Sequence, residues 1–87
     1  MSRAKKLLNR MRANPRGWTA KDIESVYTDL GFLAYEGAKH VKYKHPDLPG
    51  HFATVTRSSG EIALGYALRA IELADVLKRQ REGAENE

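Results

Sequence analysis

The chain has 87 residues and no cysteine, with 41% hydrophobic residues, 30% charged residues and a formal net charge of +4. That length makes one domain with a modest core, and the lack of cysteine excludes disulfides and thiolate metal sites, which fits a reducing cytoplasm. No apolar run approaches the roughly 20 residues of a membrane span. Met1 to Met11 is basic, with no long apolar stretch and no cleavage site, so neither a membrane partner nor a secretion signal is expected.

The distribution of charge is uneven. Arg3, Lys5, Lys6, Arg10, Arg12, Arg16 and Lys21 precede the first acid, Asp22, whereas residues 82–87 hold Glu82, Glu85 and Glu87 and no cation. A basic front end is an electrostatic footprint for phosphate, although a plain solvated surface accounts for it equally well.

In chain order, residues 1–14 read as a short added helix with Leu7, Leu8 and Met11 as a narrow apolar stripe, ended by Asn14-Pro15-Arg16-Gly17. Residues 19–30 form the clearest helix. Thr19 caps its first turn, Asp22 completes a capping box, and Ile23, Val26, Tyr27 and Leu30 recur with helical spacing. Gly31 stands where a left-handed C-terminal cap belongs, and Trp18 precedes the N-cap as a staple against Ile23 or the core.

Residues 32–56 read as three antiparallel strands: Phe32 to Tyr35, the run around His40, and Phe52 to Thr56. Gly37 turns the first into the second, and Pro46-Asp47-Leu48-Pro49-Gly50 turns the second toward the third. After a loop at Arg57 to Glu61, residues 64–80 read as a long helix with Leu64, Leu68, Ile71, Ala74 and Leu77 on its core face and Ala67 beside them. The domain spans residues 1–81, and residues 82–87 are expected to be a disordered acidic tail.

The second strand is the most informative stretch. Alternation puts Val41 and Tyr43 on one face, and His40, Lys42 and Lys44 on the other. Histidine is the side chain that moves protons near neutral pH, with an ordinary pKa of about 6.5. The flanking cations Lys42 and Lys44 on the same face suit a polyanion as partner. The odd offset of five residues puts His45 on the opposite face from His40, which argues against a shared metal site, and no metal ligands are expected. Tyr35, Tyr43 and Tyr66 are candidates for stacking on bases, with Tyr43 assigned rather to the core.

The run Ala38-Lys39-His40-Val41-Lys42-Tyr43-Lys44-His45-Pro46 resembles the signature of HicA-type toxins. That signature is Gly-Ser-His-x-x-Phe followed by a basic residue and His-Pro, and the likeness extends from about Asn14 to Leu77. Ala38 and Lys39 stand where the family has glycine and serine, and Tyr43 where it has phenylalanine. The family comprises small messenger-RNA interferases paired with HicB-type antitoxins.

The resemblance implies a cytoplasmic endoribonuclease that needs no metal or other cofactor, with His40 catalytic and Lys39, Lys42, Lys44 and Arg57 contacting RNA. His45, before the proline, is then structural. It also implies an α+β fold, α-β-β-β-α like a double-stranded-RNA-binding domain (dsRBD) with a three-stranded antiparallel sheet, plus the extra N-terminal helix. The alternative is a non-catalytic RNA-binding module of the same fold, favoured by the bulk of Lys39 beside His40. A helix-turn-helix that binds DNA fits less well, because the second helix is needed for the core.

Overall fold

The computed structural model describes residues 3–85. Helices α1 (Arg3–Ala13) and α2 (Ala20–Asp29) come first, strands β1 (Leu33–Glu36), β2 (His40–Lys44) and β3 (Phe52–Thr56) follow, and α3 (Leu64–Glu85) closes the order. The three strands pair antiparallel as an open meander, β1-β2-β3, and the protein is of the mixed α+β class.

Local chemistry sets the bounds of α2. The Thr19 hydroxyl accepts from the Asp22 N–H at 3.2 Å, and Asp22 Oδ2 accepts from the Thr19 N–H at 3.1 Å, completing the capping box. At the other end the Phe32 N–H reaches the Tyr27 carbonyl at 2.9 Å and the Gly31 N–H reaches Thr28 at 3.1 Å. That pair of bonds is a Schellman cap, and it holds Gly31 at φ +92°, where a side chain would be strained.

The core lies between the helices and one sheet face. Ile23, Val26 and Tyr27 of α2 meet Tyr43, Ala53 and Val55 of the sheet, all buried. Tyr27 stacks on Tyr43 with ring centroids 4.8 Å apart and meets Phe32 edge-on at 4.9 Å. Helix α1 buries Ala4, Leu8 and Met11 in the same cluster, with Leu7 half-buried. One of its first free N–H groups finds a cap in α2, where Asp29 Oδ2 accepts from the Ala4 N–H at 3.0 Å. An exposed ion pair, Arg12 with Asp75, ties α1 to α3, and the guanidinium holds the Asp75 carboxyl below its usual range.

Trp18 packs partly against the core, and its indole N–H donates to the Asn14 carbonyl at 2.7 Å while Arg10 lies over the ring. Its carbonyl accepts from the Ile62 N–H at 2.9 Å, and Thr19 bridges Glu61, so the segments that lead into α2 and α3 are bonded together.

Two expectations for α3 are corrected. Its buried residues are Ala67, Ala70, Leu73, Ala74 and Leu77, while Leu68 is 47% exposed and Leu64 and Ile71 are only half-buried. Apolar residues surround this helix almost fully, so periodicity cannot choose a face; close approach does, and alanines permit it. The helix also runs beyond Gln80 to Glu85. Arg79, Gln80, Arg81 and Glu82 are good helix formers that propagate a turn already begun, without needing an apolar face. Residues 86–87, the end of the expected tail, lie outside the described residues.

Candidate functional site

Every residue of β1 is exposed, and on β2 and β3 burial alternates. Val41, Tyr43, Ala53 and Val55 turn toward the helices. His40, Lys42 and Lys44 turn to the open face, as the alternation predicts. Register fixes what stands beside them. Lys44 lies between Leu33 and Phe52, Lys42 between Tyr35 and Thr54, and His40 opposite Thr56.

His40 is the first residue of β2, presented by the Gly37-Ala38-Lys39 turn. The Gly37 N–H donates to the His40 carbonyl at 2.8 Å. A Cβ on Gly37 would sit 3.0 Å from that carbonyl oxygen, so a side chain here would push the two backbones apart by a few tenths of an ångström. Lys39 is exposed at the tip of the turn. A shallow depression of about 370 Å³ lies here, lined by His40, Lys42, Lys44, Tyr35, Thr54, Glu36 and the turn at Gly37.

Arg57 belongs to the same end of the sheet but is held differently from the lysines. Its backbone N–H donates to the Lys39 carbonyl at 3.1 Å, its Nε–H to the Gly37 carbonyl at 2.9 Å, and its guanidinium pairs with Glu36 at 3.3 Å. Arg57 thus clamps the turn that presents His40, and only the remaining guanidinium N–H groups are left for another ligand. Glu36, which lines the depression, is thereby paired with a cation.

Lys42 Nζ lies 5.0 Å from the centroid of the Phe52 ring, and Lys44 Nζ 5.7 Å from that of Tyr35. Phe52 and Leu33 were not among the candidates read from sequence. Their signal was present in the alternation Phe52-Ala53-Thr54-Val55-Thr56, but a phenylalanine is ordinarily assigned to the core and an alanine to the surface. Here Ala53 is buried because α2 and α3 press close, and Phe52 is left outside.

The other histidines are elsewhere. His45 is 8% exposed; its Nδ1 accepts from the Asp47 N–H at 3.0 Å and its Nε2 meets the Leu30 carbonyl at 3.0 Å. His51 is exposed after the Pro49-Gly50 turn. Among the described residues, no group of three His, Cys, Asp or Glu side chains is placed to hold a metal ion. The cations of α1 lie in the helical layer, away from the His40 face, and Tyr66 packs half-buried against the core.

Chemically, the open face offers one solvent-accessible imidazole beside two ammonium groups, with a hydroxyl at Thr56 across the strand. It can hold a phosphodiester and move a proton. The fold and this face define a small α+β protein with a cationic, partly aromatic sheet surface. Compared with known proteins, the chain matches no family model, no curated protein and no solved structure.

Proposed function

We propose that the protein is a HicA-like ribonuclease toxin of dsRBD-like fold, acting on messenger RNA in the cytoplasm and neutralised by a HicB-like antitoxin. The observation that carries the reading is the position of His40. Of the three histidines, His45 is buried between Leu30 and Asp47, His51 lies in a loop, and His40 shares a sheet face with Lys42 and Lys44. The sequence signature around His40 supports the same reading.

In this reaction the ribose 2′-oxygen attacks the adjacent phosphorus and the bond from phosphorus to the 5′-oxygen breaks. A 2′,3′-cyclic phosphate and a 5′-hydroxyl result. The 2′-hydroxyl loses its proton and the leaving 5′-oxygen gains one; His40 serves at one of these two positions. Lys42, Lys44 and Lys39 stabilise the negative charge that grows on the phosphoryl oxygens, and Arg57 supplies a further cation while it holds the turn. No metal takes part. An antitoxin with an acidic surface would cover the same face by complementary charge.

A second reading, an RNA-binding module without activity, is favoured by one observation: among the described residues, none hydrogen-bonds the His40 ring, in contrast to the His45 ring, which is held at both nitrogens. The two readings separate in one experiment, incubation of a long single-stranded RNA with wild type and with His40→Ala in the presence of EDTA. Cleavage by wild type alone supports the ribonuclease. RNA bound but left intact by both proteins supports the module.

A further inference from the structure

We infer that Tyr35 and Phe52 are two base-stacking subsites, and that the open face takes a single-stranded polynucleotide rather than a duplex; this rests on the reading of the face as RNA-binding. Tyr35 is 53% exposed and Phe52 47% exposed, on the two outer strands. Both project from the face that carries His40, since Tyr35 is opposite Lys42 and Phe52 is opposite Lys44.

Each ring has a lysine ammonium over it, Lys44 above Tyr35 and Lys42 above Phe52. The pairing is diagonal, so each lysine reaches the ring one row away rather than the ring directly opposite it on the neighbouring strand. A π surface with a cation attached, twice over, matches a ligand that repeats a planar base and a phosphate. When a base settles on a ring, the ammonium swings from the ring to the neighbouring phosphate. The exchange is favourable because a base stacks on an exposed ring more strongly than an exposed ammonium does.

Spacing selects the single strand. Two strand separations across and two residues along the sheet put Tyr35 and Phe52 about 12 Å apart. Adjacent bases in a duplex strand are only about 3.4 Å apart, with their faces covered by one another. Bases on both rings must therefore come from a splayed strand, which crosses the sheet obliquely and passes Lys42 and Lys44 on the way. A duplex presents phosphates and sugar edges, which leave two apolar rings in water. A protein partner that recognised the two rings as apolar area fits less well, because buried interface centres are depleted in lysine; the acidic antitoxin proposed above engages the face through charge instead.

The test is binding of a labelled single-stranded RNA and of a hairpin duplex of equal length, measured in the His40→Ala background so that the RNA stays intact. Tyr35→Ala and Phe52→Ala are each expected to weaken single-strand binding roughly tenfold, and the double variant about a hundredfold. Tyr35→Phe keeps the affinity. Tyr35→Leu and Phe52→Leu, which keep the apolar area at exposed positions and so keep the fold, lose it. The duplex binds more weakly than the single strand and is indifferent to all these changes.

Unchanged single-strand affinity in the double alanine variant overturns the inference, and cleavage by wild type in EDTA then leaves the ribonuclease reading standing. Full affinity in the leucine variants, with loss only in the alanine ones, also overturns it, because the face would then recognise apolar area, as a protein partner does. Failure of the wild-type chain to bind either RNA overturns this inference and the RNA reading together. Stacking without cleavage by wild type overturns the ribonuclease alone.

Discussion

The Nε2 of His45 lies 3.0 Å from the carbonyl oxygen of Leu30, so the last residue before Pro46 closes the end of α2. With Nδ1 accepting from the Asp47 N–H, the ring proton belongs on Nε2 and is donated to Leu30. His45→Ala leaves a part-buried carbonyl and a backbone N–H unpaired and a cavity beside Phe32, whose ring centroid is 5.0 Å away. A loss of about 2–3 kcal/mol is expected in urea unfolding. Gly31→Ala acts on the same joint, since its Cβ would stand 3.2 Å from His45 Nε2 at φ +92°. It should cost about 1–2 kcal/mol; an unchanged midpoint for either variant would contradict this account.

Burial of the Tyr27 and Tyr43 hydroxyls should make the fold sensitive to alkali. Burial pushes the Tyr43 hydroxyl from 10.0 up to about 12, and burial raises that of Tyr27 as well. A raised pKa in the folded state means that the unfolded chain loses its proton first. The contribution to stability is therefore complete below pH 10, and declines as pH rises toward about 12. Unfolding midpoints measured across that window should fall steeply for wild type and flatten in Tyr27→Phe/Tyr43→Phe. The Tyr27 hydroxyl is buried with no hydrogen-bond partner among the described residues. Tyr27→Phe alone should thus be neutral or stabilising by up to about 1 kcal/mol at neutral pH.

Lys42 and Lys44 should act on affinity through salt. If each neutralises one phosphate, Lys42→Ala/Lys44→Ala reduces the slope of log affinity against log salt by about 1.4 for a single strand. The substitutions lie on the exposed face and should leave thermal stability within about 0.5 kcal/mol of wild type. An unaltered slope would remove these lysines from the phosphate path.

On the ribonuclease reading, Arg57 both adds charge and holds the turn before His40, and its variants separate the two contributions. Arg57→Ala releases the Gly37 carbonyl and Glu36 and loosens the turn, costing about 1 kcal/mol of stability. Cleavage should fall mainly in kcat, with little change in KM. Arg57→Lys restores the charge but not the fork that spans Gly37 and Glu36, and should rescue little. Rescue by lysine, with recovery of KM, would instead make Arg57 a plain phosphate contact.

Much of the fold was legible from local chemistry. Thr19 and Asp22 announced the start of α2, Gly31 its end, and the alternation at His40 to Lys44 gave the facing of β2. What misled was amphiphilicity without a single period. In α3 the large residues Leu64, Leu68 and Ile71 suggested a core face, whereas Ala67 and Ala70 lie innermost. Arg57 shows a second limit, because its bonds to Gly37 and Glu36 span about 20 residues and no local pattern encodes them.

The sequence by itself determined the element order, the caps, and which side chains of β2 share a face with His40, because periods of about 2.0 and 3.6 and the cap residues are local properties. Only tertiary structure decided that Phe52 stays in water and Ala53 does not, that Lys42 and Lys44 each reach a ring in the next row, and that Arg57 clamps the turn before His40. These depend on how closely helices approach the sheet and on strand register, and both are settled by contacts between residues distant in the chain.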